Sequence, residues 1–128
     1  MNGWITSGMV LEIIKICALI SRGDFARLAA EGNFEVSMAS EIKTGILEYL
    51  GGDFSNERDL VRVGIPDENY VINHSTLCEI NPGSPSDRDK RIQINLRVDG
   101  VESDLTLILR AHKREEGDEV RIYGALTL

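Results

Sequence analysis

The sequence has few of the residues that hold small disulfide-rich or metal-bound proteins together. Among 128 residues there are two cysteines and three prolines, so at most one disulfide could form and a disulfide framework is excluded. Neither Cys-x-x-Cys nor His-x-x-x-His occurs. The only soft ligands are two cysteines and two histidines, without the recurring close spacing of a zinc site: Cys17, Cys78, His74 and His112. We therefore expect no metal, no cofactor and a fold held by its own hydrophobic core.

Positive charge is also scarce. Fourteen Lys and Arg residues stand against twenty-one Asp and Glu, which gives a net charge of −7. Proteins that bind nucleic acids or anionic membranes attract them with a positive field. The sequence therefore predicts no nucleic-acid partner and no membrane partner.

Long hydrophobic runs are missing as well. The apolar first 22 residues are interrupted by Glu12 and Lys15, and no basic residue precedes Lys15. A signal peptide begins with basic residues and continues with an unbroken apolar stretch, and a membrane span needs about 18 apolar residues. We expect a cytoplasmic protein in which Cys17, set among apolar residues, is a reduced and buried thiol.

Hydrophobic residues make up 42% of the chain, enough for one domain over residues 1–128. Apolar residues recur at helical spacing over residues 9–20, and a short second helix is expected at Phe25–Ala30 with Asp24 as its cap. A third helix has Ser37 as its expected cap and ends at Gly51-Gly52. Its apolar stripe consists of Met38, Ile42, Ile46, Tyr49 and Leu50.

The last 40 residues alternate apolar and polar side chains, which indicates half-buried strands. Asp99-Gly100 is a strong signal for a two-residue hairpin turn. With that turn, three apolar pairs form: Val98–Val101, Ile94–Leu105 and Ile92–Leu107. On the other face, two polar pairs form: Arg97–Glu102 and Asn95–Asp104.

A final strand is expected over Val120–Leu128, with Leu109 near Ile122, Leu105 near Leu126, and Gly124 opposite Leu107. The middle is less regular, and Tyr70–Ile80 is interpreted as a further strand. The predicted fold class is α+β, with N-terminal helices packed on one face of a bent antiparallel meander.

No pattern indicates catalysis. A Gly-x-Ser-x-Gly elbow and a phosphate-binding glycine loop are both missing, and the inward positions of the last three strands are apolar. Only Tyr70, His74 or Glu79 could supply a general base to a concave sheet. We therefore expect no catalytic residues.

Acidic charge is concentrated in the middle of the chain. Residues 51–90 contain eight acidic and four basic side chains, in loops where recognition residues are common. This clustering either serves solubility or forms an acidic face for a basic partner. On the second interpretation, the partner-binding residues are Asp53, Glu57, Asp59, Asp67, Glu68, Asp87 and Asp89.

Three short motifs resemble a family of small bacterial domains of unknown function. They are Ser21-Arg22-Gly23-Asp24-Phe25, Glu48-Tyr49-Leu50-Gly51-Gly52 and the run from Glu102 to Leu109. The layout also looks like the cystatin-like or nuclear-transport-factor-like cone. In size and charge the chain is similar to immunity proteins of contact-dependent growth inhibition. That likeness implies a cytoplasmic inhibitor of a basic toxin domain, such as a nuclease, whereas the cone implies a small-molecule binder or enzyme with a pocket between helices and sheet.

Overall fold

The computed structural model describes residues 3–33, 36–51 and 57–127. Within these ranges, four helices and a 3₁₀ helix accompany a four-stranded antiparallel sheet. The helices are α1 (Ser7–Ser21), α2 (Phe25–Ala30), α3 (Val36–Leu50), the 3₁₀ helix (Glu57–Arg62) and α4 (Glu68–His74). The strands are β1 (Ser75–Glu79), β2 (Asp89–Val98), β3 (Val101–His112) and β4 (Glu119–Thr127), and they pair in chain order. The predicted α+β class is confirmed.

The three N-terminal helices follow the sequence pattern, and local hydrogen bonds set their first residues. α1 begins two residues before the predicted start because the Thr6 hydroxyl accepts from the backbone N–H three residues on, at 3.1 Å. Asp24 caps α2 in the same way, at 3.2 Å. α3 already includes Val36, so Ser37, expected as its cap, lies inside the helix. Gly51 follows the last residue of α3, and Gly52 lies outside the described residues.

The segment predicted as a strand over Tyr70–Ile80 is a helix in its first half. The Asp67 carboxylate accepts from the Tyr70 N–H at 2.8 Å and so caps α4, which buries Tyr70 and Val71. The strand begins only at Ser75. The prediction was wrong for the first half because an aspartate cap outweighed the β-branched composition of a short segment.

The hairpin turn has the predicted geometry. Asp99 and Gly100 both have positive φ, 55° and 85°, which is the requirement of a type I′ turn. Val98 pairs with Val101 and Arg97 pairs with Glu102, as expected. The first two pairs of the predicted register are therefore confirmed.

Beyond these two pairs, a bulge in β3 shifts the register by two residues. Ile94 pairs with Leu107 and Ile92 with Leu109, so the expected Ile94–Leu105 and Ile92–Leu107 pairs are wrong. Asn95 likewise pairs with Thr106 and not with Asp104. Ser103 stabilises the bulge, because its hydroxyl donates to the Leu96 carbonyl at 2.7 Å and accepts from the Leu105 N–H at 3.2 Å.

A second bulge, at Tyr123, shifts β4 by one residue. Leu109 pairs with Ile122 as predicted, but Gly124 lies opposite Ile108 instead of Leu107. Because one extra residue turns later side chains to the other face, Leu126 pairs with Thr106 and is exposed.

The core lies between α1 and the inner face of the sheet, which is the face turned toward the helices. Fully buried side chains of α1, at helical spacing, are Met9, Ile13, Ile16 and Ile20. They belong to one cluster with the buried alternate residues of the sheet, among them Ile92, Ile94, Leu107, Leu109 and Ile122. In the ranges described, no helix is long and apolar enough to cross a membrane.

The hairpin geometry leads to a stability prediction for Gly100→Val. A β-branched residue resists positive φ, so we expect the free energy of unfolding to fall by more than about 1 kcal/mol. Chemical denaturation measures this change. Gly124→Val is the matched control, because a Cβ at Gly124 would meet nothing within 4 Å and its φ is not positive. Equal denaturation midpoints for the two variants would contradict the prediction.

Candidate functional site

The predicted acidic residues are divided between the two ends of the sheet. Four of them belong to the segment that crosses the hairpin end: Glu57, Asp59, Asp67 and Glu68. Asp87 and Asp89 lie at the other end, where β2 begins. At about 3.3 Å per strand residue, the ten residues of β2 separate the groups by roughly 30 Å. Asp53 lies outside the described residues.

The segment Glu57–Glu68 is attached to the hairpin by backbone pairing. Val63 forms a β-bridge with Val98, and the Gly64 N–H donates to the Arg97 carbonyl at 2.9 Å. The Asp99 N–H in turn donates to the Arg62 carbonyl at 3.0 Å. The segment is thereby held as an extension of the sheet.

The Arg62 guanidinium reinforces this attachment. It donates to both carboxylate oxygens of Asp99, at 2.9–3.2 Å, and to the Leu50 carbonyl at the end of α3 at 2.6 Å. These hydrogen bonds hold the pKa of Asp99 below its usual range. Arg62 therefore connects α3, the crossing segment and the turn.

The carboxylates of this segment differ in how they are used. Glu57 forms an ion pair with Lys43, and Asp67 caps α4 while remaining exposed. Asp59 and Glu68 form no ion pair with any residue in the described part of the chain. The Glu68 carboxylate is exposed and available to a partner, whereas Asp59 is half-buried and its charge acts on Arg62.

Apolar side chains are exposed among these carboxylates. Val61 is 71% exposed and Ile65 is 52% exposed, and Val101, in the row Val63–Val98–Val101, is 66% exposed. Exposed apolar side chains on a segment that also carries charged residues are a feature of protein-binding surfaces. We call this set the hairpin-end surface, and its members are Glu57, Asp59, Val61, Ile65, Asp67, Glu68 and Val101.

At the far end of the sheet, the Asp89 carboxylate is already paired with an arginine. Its carboxylate accepts from Arg110 at 3.0 and 2.6 Å in a two-point pair, and His112 lies 3.8 Å away. The Arg110 hydrogen bonds hold the pKa of Asp89 below its usual range. Asp87 is exposed, and its backbone carbonyl accepts from the Trp4 indole at 2.6 Å.

Sequence reasoning missed a row of arginines on the outer face of the sheet, opposite the helices. Arg91, Arg110 and Arg121 lie directly opposite one another on β2, β3 and β4. Each alternates with buried apolar residues, so the alternation that predicted the strands places each arginine on the outer face, but the row itself depends on the pairing of the strands. A cup of about 210 Å³ lies beside the row, lined by Arg110, Arg121 and five other residues.

The three residues considered as general bases are held in other roles. The Tyr70 hydroxyl donates to the Asn95 carbonyl at 2.6 Å, and His74 stacks on the Tyr70 ring with centroids 4.0 Å apart. Glu79 pairs with Lys90. Each of the three side chains is thus engaged by a neighbour within the described part of the fold.

Metal-ligand candidates are dispersed in the structure. The described residues contain no group of three His, Cys, Asp or Glu side chains that could hold an ion. His74 ends α4 whereas Cys78 lies on β1, so the two do not share a strand as the sequence interpretation placed them. Burial raises the pKa of Cys17 to about 12, so its thiol is protonated and unreactive.

Side chains fill the centre of the space between α1 and the sheet. Leu19, Leu28, Ile46 and Leu105 are at most 2% exposed and belong to the same cluster as the core of α1. A ligand of any size would have to displace them, at about 1.5–3 kcal/mol for each buried side chain. A pocket of about 340 Å³ nevertheless lies between α1 and β4, lined among others by Glu12, Asn33 and Glu119, so the alternative of a pocket between helices and sheet stays a prediction.

No protein-family model matches the chain, and neither the curated proteins nor the solved structures contain a significant match. The resemblances drawn from short motifs therefore stay predictions. A function for this chain rests on the geometry of its own residues.

The Asp89–Arg110 pair leads to a prediction about acid stability. Asp89→Asn removes two charge-assisted hydrogen bonds and should lower the free energy of unfolding at pH 7 by about 1 kcal/mol. Because the pKa of Asp89 is depressed in the folded protein, this contribution is complete above about pH 3.9 and is lost as the pH falls through the lowered pKa. Wild type and variant should therefore converge in acid, as measured by urea denaturation.

Asp104→Asn is the control for this prediction. Asp104 is exposed on the same sheet, and its carboxylate has no ion pair among the residues described. Asp104→Asn should have the same free energy of unfolding as wild type, both at pH 7 and in acid. A constant difference between Asp89→Asn and wild type from pH 7 into acid would contradict the assignment.

Proposed function

We propose that this protein is an inhibitor of the immunity type, which neutralises a bacterial toxin domain by binding a basic region of it at the hairpin-end surface. The observation that supports this proposal is the exposure of Val61 and Ile65, which lie in the chain between the acidic residues Asp59 and Glu68. Apolar contact would supply affinity, while the carboxylates would select a cationic partner.

The rigid attachment of the segment supports the same function. Backbone pairing with the hairpin and the Arg62 clamp fix its conformation before any partner arrives. A preorganised surface loses less conformational entropy on binding than a mobile loop would. A small loss of conformational entropy favours the tight binding expected of an inhibitor.

The net charge of the chain also fits a cationic partner. Long-range attraction between a protein of charge −7 and a basic domain accelerates encounter and weakens with salt. A nuclease domain is one such partner, because its active site must attract phosphates.

The experiment compares two charge reversals in binding kinetics. The partner is the C-terminal toxin domain encoded beside this chain's gene, and the variant is Asp59→Lys with Glu68→Lys. We expect association about ten-fold slower, at low salt, because reversed charges repel a basic domain. The control, Glu115→Lys with Glu116→Lys, makes the same change in the exposed turn between β3 and β4, and it should do much less.

A third variant separates apolar contact from charge. Val61→Asp adds a negative charge. If long-range attraction to a basic partner were its only effect, the association rate would be unchanged or higher. If Val61 is buried in the complex, dissociation should become at least about ten-fold faster, since an aspartate would be desolvated there. Equal effects of both reversals, a normal dissociation rate for Val61→Asp, or the lack of a toxin gene beside this one would each count against the proposal.

A further inference from the structure

The arginine row on the outer face of the sheet places more positive charge there than the fold requires for its stability. Arg91 and Arg121 lie directly opposite Arg110 on its two sides, where Cβ atoms are about 4.5–5.5 Å apart. Like charges in directly opposed positions are destabilising. In a chain with an excess of acidic residues, the row is not explained by solubility.

Nearby carboxylates neutralise only part of this charge. Asp89 binds Arg110 at two points, and Glu119 pairs with Arg114 at 3.1 Å. Arg121 has no hydrogen bond or ion pair with any residue in ranges 3–33, 36–51 and 57–127. Its guanidinium therefore keeps its donors for a ligand.

Two side chains of this row, Arg110 and Arg121, border a cavity. The cup of about 210 Å³ is lined by Arg110, Arg114 and Arg121, with His112 and Tyr123. Two further lining residues are the paired carboxylates of Asp89 and Glu119, so the lining has one more positive than negative charge before His112 is counted.

Existing contacts orient the donors around the cup. The Tyr123 hydroxyl accepts from Arg110 at 2.9 Å, which leaves its own hydrogen to donate elsewhere. Asp89 fixes the plane of the Arg110 guanidinium. Arg121, from the neighbouring strand, lines the same space.

We propose that this cup binds a phosphate group, with Arg121 as its main ligand and the Tyr123 hydroxyl and Arg110 as supporting donors. Guanidinium groups match phosphate oxygens in pairs, and donors from two strands and a hydroxyl suit a tetrahedral anion better than a flat carboxylate. The ligand is inorganic phosphate or a small phosphate monoester. A polyanion is disfavoured because the whole chain carries −7.

This site is separate from the hairpin-end surface. Val98 lies seven positions beyond Arg91 along β2, which is about 23 Å at 3.3 Å per position. Phosphate binding and partner binding can therefore succeed or fail independently.

The test is a titration followed by two-dimensional NMR of ¹⁵N-labelled protein. Inorganic phosphate and glucose 6-phosphate are added separately, with sodium chloride of equal ionic strength as the reference. We expect saturable shifts at amides 110–114 and 119–123 and at the Arg110 and Arg121 side-chain N–H groups, with a dissociation constant of about 1 mM or tighter. Tighter binding of glucose 6-phosphate would assign the site to a monoester, and tighter inorganic phosphate to the free anion.

Arg121→Gln should weaken phosphate binding at least about ten-fold. The affinity of Arg121→Lys should lie between those of Arg121→Gln and wild type, because lysine keeps the charge but lacks the planar guanidinium. Arg22→Gln, an equal change of charge on the exposed residue that follows α1, should bind as wild type does. Thermal midpoints show that each variant is folded. Identical shifts with chloride, or undiminished phosphate binding by Arg121→Gln, would overturn the proposal.

Discussion

The alternation of side chains along β2, β3 and β4 is the constraint on which the rest of this structure depends. Ile92, Ile94 and Leu107 are buried against the helices because neighbouring residues of a strand point to opposite faces. The same alternation sends Arg91 and Arg110 to the outer face. The buried inner face therefore serves the hydrophobic core, while charged side chains are collected on the outer face and at the ends of the sheet.

The faces of the sheet could be predicted from the sequence, but the register could not. The bulge at Ser103 shifts the pairing by two residues, and because the side-chain period is also two, Ile94 meets an apolar partner in both registers. Hydrophobic matching cannot distinguish them. The helix at Glu68–His74 was missed for a different reason, since its signal is a single cap, Asp67, and not a periodic pattern.

The positions of the candidate sites could not be predicted from the sequence either, because they depend on how distant segments come together. Asp67 and Asp87 both belong to the acidic middle of the chain, yet the path through α4 and β1 places them near opposite ends of the sheet. The excess of acidic residues in 51–90 therefore overestimated how much acidic charge lies on one surface. The arginine row was missed because its members come from three strands, and only the pairing of strands brings them together.

The central claim is that a partner is held at the hairpin-end surface and not at the far end of the sheet. Hydrogen–deuterium exchange of the protein alone and in complex with the toxin domain tests it most directly. The account predicts slower exchange on binding over residues 57–68 and at the Asp99-Gly100 turn, with no change over 87–91 or 113–119. Protection confined to 87–91 and 113–119, with 57–68 unaffected, would contradict it.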